Sequence, residues 1–193
     1  MNGAKIFLLL LTVSFSSSKF IYNNPITLPS GVIDLEYSPG QTVLAVSTNT
    51  TLNLFNGVTG VSFQNFTFAE GITFGALSFS QDDNLFAVGF SNGQFETFKR
   101  GISFSQEMED YAEDDSPIKS LCFTADNSHL IFITQNKITV YDLSATVNNT
   151  KTLDYEGEAI YVACSPFETE LFTVAGTKNE TGKLTEYKYD FGT

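Results

Sequence analysis

Gly89-Phe90-Ser91-Asn92-Gly93 is the stretch of this 193-residue chain that spells a nucleophile motif. A serine in the pattern G-x-S-x-G, followed by Asp115 or Asp126 and then His129, keeps the chain order of an α/β-hydrolase triad. That chemistry needs a strand-to-helix elbow, which lifts the serine above a parallel sheet where an imidazole takes its proton. Here the motif is surrounded by turn-forming residues and no helical period follows it, so a β-hairpin turn accounts for the spelling. His129 is the single histidine, which leaves no His pair for a metal. The chain is therefore expected to be no enzyme and to carry no cofactor.

Charge gathers at Glu107, Glu109, Asp110, Glu113, Asp114 and Asp115. The run follows an apparent outer strand, Gly101 to Gln106, and precedes an apolar strand from Ile118. It reads as an acidic loop on the same rim as Asn92, Gln135 and Asn136. Such a loop is either a solvated spacer that keeps neighbouring molecules apart or a docking surface for a basic partner. A weak Ca²⁺ site lacks the regular ligand spacing of an EF-hand loop. The two cysteines, Cys122 and Cys164, occupy different positions of a repeat, on consecutive sheets. Stacked sheets lie about 10 Å apart, beyond disulfide reach, so both are expected to be free and buried. N-x-Ser/Thr acceptors stand at Asn49, Asn65, Asn148 and Asn179. Asn49 and Asn179 fall in hairpin turns and Asn148 in a loop, whereas Asn65 falls near an outer strand.

The elements that position these residues repeat four times. Leu35-Glu36-Tyr37-Ser38-Pro39, Leu77-Ser78-Phe79-Ser80-Gln81, Leu121-Cys122-Phe123-Thr124-Ala125 and Val162-Ala163-Cys164-Ser165-Pro166 share one pattern. Tyr37, Phe79, Phe123 and Cys164 are 42, 44 and 41 residues apart, a period typical of propeller blades. After each anchor comes an apolar run suited to a strand covered on both faces: Val43–Val46, Leu85–Val88, Leu130–Ile133 and Leu171–Val174. A polar turn follows, then a strand of period two: Leu52–Phe55, Phe95–Phe98, Ile138–Tyr141 and Leu184–Tyr187. The expected fold is all-β, with four antiparallel sheets of three or four strands. The register predicts that Tyr37, Phe79 and Phe123 are buried between blades beside Leu44, Leu85, Leu130 and Leu171.

At these residues the chain resembles the WD-repeat family of β-propellers, over roughly residues 32 to 190. The Ser38-Pro39 and Ser165-Pro166 turns and the strand phasing carry the resemblance. Where the family closes a repeat with Trp-Asp, this chain has Phe55-Asn56, Phe98-Lys99, Tyr141-Asp142 and Tyr187-Lys188, so the aromatic is retained and the acid once only. The family's Gly-His pair is absent. The resemblance implies a protein-interaction scaffold. The competing class is a carbohydrate-binding or adhesive surface protein, for which the chain lacks Trp.

Blades are expected near 32–73, 74–117, 118–158 and 159–193, fewer than the family's usual seven. A strand from Phe20 to Leu28 would close a four-bladed ring. Otherwise the array is open, with blade edges that pair with a second copy or another chain, or further blades lie beyond it. The wedge of a seven-blade family favours the open array. Ahead of it, Lys5, the apolar Ile6–Val13 and the small Ser14–Ser18 have the layout of a secretory signal peptide over residues 1–18. Its apolar core is shorter than the ~20 residues that span a bilayer, and no later segment approaches that length. The mature domain, 19–193, is expected to be secreted or luminal and glycosylated, with a protein partner. A formal charge of −12 and a single arginine, Arg100, argue against nucleic acid and anionic lipid as partners.

Overall fold

The computed structural model describes residues 28–144, 150–178 and 181–189, which form strands and turns with no helix among them. The strands assemble into four antiparallel meanders, each taken in chain order. Blade 1 holds β1 (Val32–Tyr37), β2 (Val43–Thr48), β3 (Thr51–Asn56) and β4 (Ser62–Thr67). Blade 2 holds β5 (Phe74–Phe79), β6 (Leu85–Phe90), β7 (Gln94–Arg100) and β8 (Phe104–Tyr111). Blade 3 holds β9 (Ser120–Phe123), β10 (His129–Ile133), β11 (Lys137–Asp142) and β12 (Thr150–Asp154). Blade 4 holds β13 (Glu158–Cys164), β14 (Leu171–Lys178) and β15 (Thr181–Lys188). The leader, Asn148 and Asn179 lie outside the described residues, as does the proposed closing strand except for Leu28, which is not in a strand.

One piece of turn chemistry recurs after the inner strands. Ser80 accepts the Leu85 N–H through Oγ at 2.8 Å and donates to the Leu85 carbonyl at 3.1 Å. Thr124 does the same with His129, at 3.1 and 3.3 Å. Ser38 Oγ accepts the Val43 N–H at 3.2 Å. Gln41, Asp83 and Asn127, each three residues after the hydroxyl, take positive φ. The same turns tie the blades together: Asp83 accepts the Gly40 N–H, and Asn127 accepts the Gln81 N–H at 3.0 Å.

A strand pair alone cannot bury both of its faces, so the core lies between blades. Residues two apart on each strand face the same neighbour. Leu52 and Leu54 of blade 1 meet Phe79, Phe86, Val88 and Phe98 of blade 2. Phe86 and Phe98 stack with centroids 4.6 Å apart, and Phe66 of blade 1 lies 4.7 Å from Phe98. Phe95 and Phe132 sit at the next interface, and Val140, Val162, Phe172 and Val174 at the third. Phe79 and Phe123 are buried as the repeat predicts, with Leu44 and Leu130. Leu85 and Leu171 are only half-buried. Tyr37 departs from the expectation and is 48% exposed. Phe79 and Phe123 point toward the preceding blade, and no described blade precedes blade 1.

Near the axis the inner strands converge. A cavity of about 410 Å³ is lined by Glu36, Leu77, Ser120 and Tyr161, one from each blade. Here the cysteine expectation is overturned: Cys122 and Cys164 are bridged, with Cα atoms 5.8 Å apart. The 10 Å spacing holds where sheets stack face to face, but blades radiate from a common axis and their innermost strands approach more closely. Ser120 Oγ spans the same gap, accepting the Val162 N–H at 3.1 Å and donating to its carbonyl at 3.3 Å. The repeat offset that argued against a bridge is what aims the thiols at each other. Cys122 matches Glu36 and Ser78, which face the following blade, and Cys164 matches Phe79 and Phe123, which face the preceding one.

Among the described residues the blades form no closed ring, and both end flanks carry exposed apolar side chains. Leu35, Tyr37 and Phe63 lie on blade 1, and Tyr161 and Leu184 on blade 4. Phe79→Ala should cost about 3–5 kcal/mol in denaturant unfolding. Tyr37→Ala, at the matching but exposed position, should cost about 1 kcal/mol or less. Reduction of the Cys122–Cys164 bridge, which closes a long loop, should lower stability by about 2–4 kcal/mol, measured by melting with and without reductant.

Candidate functional site

The acidic run is not a single loop. Glu107, Glu109 and Asp110 belong to β8, which continues past Gln106 to Tyr111, and only Glu113, Asp114 and Asp115 occupy the turn into blade 3. The turn does share a rim with the β6–β7 hairpin. Ala112 N–H donates to the Gly93 carbonyl at 2.8 Å, and Asp114 accepts from Thr134 Oγ1 at 3.0 Å, beside Gln135. Asp110 accepts the Tyr141 hydroxyl at 2.8 Å. Burial and this bond to a carboxylate push the Tyr141 phenol up to about 12.

A register shift in β8 then separates the glutamates. Between Phe98↔Gln106 and Thr97↔Met108 one residue, Glu107, is left over, and beyond it Glu96 stands directly opposite Glu109. Glu107 turns toward blade 3 and pairs with Lys99 at 3.2 Å. Glu96 and Glu109 turn toward blade 1 in the row of Leu77 and Val88. Gln94, itself buried, donates its amide to Glu96 at 3.1 Å and to Glu109 at 3.0 Å, while Asn92 donates to Gln94 Oε1 at 3.2 Å. Gln106 completes the frame with a 3.3 Å bond to Glu109. Burial raises the Glu96 carboxyl above its ordinary value, and the nearby Glu109 charge adds to the rise.

These carboxylates line a groove of about 700 Å³ between blades 1 and 2. Phe66, Phe68 and Ile72 of blade 1 and Phe90 and Phe98 of blade 2 form its apolar wall, and Tyr111 stands at the rim, half-exposed. Sequence reading missed Gln94 and Glu96, since neither is unusual on a strand of period two. Their signal is the bulge, and only strand pairing reveals it.

A second titratable group sits at the hub. Glu36 is half-buried on β1, where Phe79 N–H reaches its Oε1 at 3.4 Å. Burial pushes its carboxyl up to about 7, against the bond from Phe79, with Asp34 adding repulsion.

The hydrolase spelling comes apart in three dimensions. Ser91 lies in the β6–β7 turn, where its Oγ accepts the Thr73 N–H at 3.1 Å. Asp115 is on that face. Asp126 lies in the β9–β10 turn and His129 opens β10, at the end of that strand away from the β6–β7 turn, where Ser128 Oγ meets His129 Nδ1 at 2.7 Å. Both glycines have packing reasons. A Cβ at Gly89 would come within 2.5 Å of the Ile118 side chain, and Gly93 has φ +81 with the Asp115 backbone 2.8 Å from its Cβ direction. Asn49 is exposed in its hairpin turn, and Asn65 is exposed on β4, where it donates to Asn53 Oδ1 at 2.7 Å. Among the described residues no group of three or more His, Cys, Asp and Glu is placed to hold a metal, and no helix is long and apolar enough to cross a membrane.

The β-propeller domain of Myceliophteria thermophila Cps50 (Swd1) superimposes on 82% of this chain with a TM-score of 0.70 at 15% identity. The chain folds as β-propeller blades. Chaetomium thermophilum Raptor matches 81% of it with a TM-score of 0.66 at 14% identity. The propeller spans 54% of the Swd1 domain and 15% of the Raptor chain. No family model and no curated protein matches the sequence. At such identity the likeness establishes the fold, and the sites of this propeller rest on its own residues.

Glu36 makes the propeller's stability depend on pH. The folded chain holds this proton more tightly than the unfolded one, so the group favours folding most below its ordinary value of 4.5 and progressively less up to about 7. Glu36→Gln should raise the melting temperature at pH 8, by roughly 2–4 °C for each kcal/mol recovered. It should also flatten the fall in stability between pH 5 and pH 8. An unchanged profile would place the titration elsewhere.

Proposed function

We propose that this chain is a non-enzymatic protein-interaction scaffold of WD-repeat type that works in the secretory pathway or outside the cell. The propeller fold carries the scaffold reading. Many of its side chains are taken up by inter-blade packing and turn bonds, and an acidic and aromatic surface along blade 2 is left available. The secretory setting is supported by the Lys5, Ile6–Val13, Ser14–Ser18 pattern, by exposed acceptors at Asn49 and Asn65, and by the Cys122–Cys164 bridge, since such bridges persist in oxidising compartments. Exposed apolar flanks on blades 1 and 4 make a second copy of the chain one of the expected partners.

Expression in a secretory host should give a product that begins near Lys19 and loses mass on N-glycosidase treatment, less so in an Asn49→Gln variant. Immobilised on beads, that product should retain a protein, or a second copy of itself, from secreted material. An unprocessed, unglycosylated product retained in the cytosol would overturn the setting. Binding to a glycan array with no protein captured would overturn the scaffold.

A further inference from the structure

Like charges directly opposite each other on one face of a sheet destabilise it. Glu96 and Glu109 are such a pair, in a chain that already carries −12, and among the described residues no Lys or Arg pairs with either. They are nevertheless held in place: the Gln94 amide bonds to both, Asn92 orients Gln94, and Gln106 fixes the second oxygen of Glu109. The pair faces a groove of about 700 Å³ whose other wall is Phe66, Phe68 and Ile72. A site that orders two carboxylates against their mutual repulsion, beside an aromatic wall, is complementary to a cation with a flat, weakly hydrated face.

We propose that the groove between blades 1 and 2 docks an extended peptide segment of a protein partner, with one arginine seated between Glu96 and Glu109 and an apolar neighbour against Phe66 and Phe68. This rests on the scaffold reading and names the partner's chemistry. Arginine suits the site better than lysine, because its planar fork offers five donors to two carboxylates and its face stacks on aromatic rings, whereas an ammonium is a compact, strongly hydrated charge. The apolar wall is what a free polyamine would leave unused.

The test is an array of octapeptides with a central arginine flanked by Leu, Val, Phe, Tyr or Ser, each paired with a copy that carries neutral citrulline. The purified full chain is applied, and the best binder is then titrated in solution. Arginine peptides should bind, and their citrulline copies should bind at least about tenfold more weakly. E96Q/E109Q should lose binding to a similar degree and melt no lower than the unsubstituted chain, because the substitution removes a repulsion. E107Q, whose side chain faces blade 3, should bind normally. Equal binding of arginine and citrulline peptides, unchanged binding by E96Q/E109Q, equal loss in E107Q, or displacement by spermidine as effective as by the peptide would each overturn the proposal. The citrulline arm needs no variant to fold. A partner captured equally by the unsubstituted chain and by E96Q/E109Q would sink the groove and leave the scaffold standing.

Discussion

Everything in this molecule depends on apolar faces that no blade can cover for itself. A meander of three or four strands has two faces, and in a propeller each is sealed by the next blade around the axis. The stacked Phe86 and Phe98, with Phe66 laid against them from blade 1, show how this is achieved here. The aromatic rings fill the wedge that widens away from the hub. The same rule explains Tyr37, which occupies the position of Phe79 and Phe123 with no described blade before it and stays exposed.

Toward the axis the wedge narrows, and apolar bulk gives way to small and polar links. Glu36 meets the Phe79 amide at the first interface, Ser78 lines a cavity shared with Phe123 near the second, and Cys122 bonds to Cys164 at the third. These are equivalent repeat positions with three different chemistries. The covalent one joins blade 4, the blade with three described strands, to the rest of the arc. A charged group at the first interface and a covalent bond at the third make the hub uneven: one junction softens as pH rises, and the other opens under reduction.

Packing leaves the most side chains over along the outer strands, where β4 and β8 carry exposed polar and aromatic residues. Their distance from the axis leaves room between blades, and the groove of about 700 Å³ opens there, between β4 and β7–β8. The bulge at Glu107 sends the acidic side chains of blade 2 to both of its faces, with an ion pair to Lys99 on one and, on the other, a carboxylate pair that no Lys or Arg of the described residues meets. Bulges commonly re-aim side chains in this way.

Four repeats at 41–44 residues, all-β, with inner strands at Leu35, Leu77, Leu121 and Val162, were legible in the chain alone, whereas closure of the ring was left open. Period and turn chemistry are local, so residues such as Ser80 and Thr124 announce their hairpins in the chain itself. The sequence also marked G-x-S-x-G as a hairpin turn, since no helical period follows it, and Ser91 does lie in the β6–β7 turn. What escaped it was distance and register between strands. The bridge between Cys122 and Cys164 was misjudged because the convergence of blades on an axis is a property of the assembled arc, not of any one sheet. The facing of Glu96 and Glu109 was invisible because a single unpaired residue reverses which side every later side chain takes. Only the tertiary structure decides such matters, since they depend on how whole blades lean on one another.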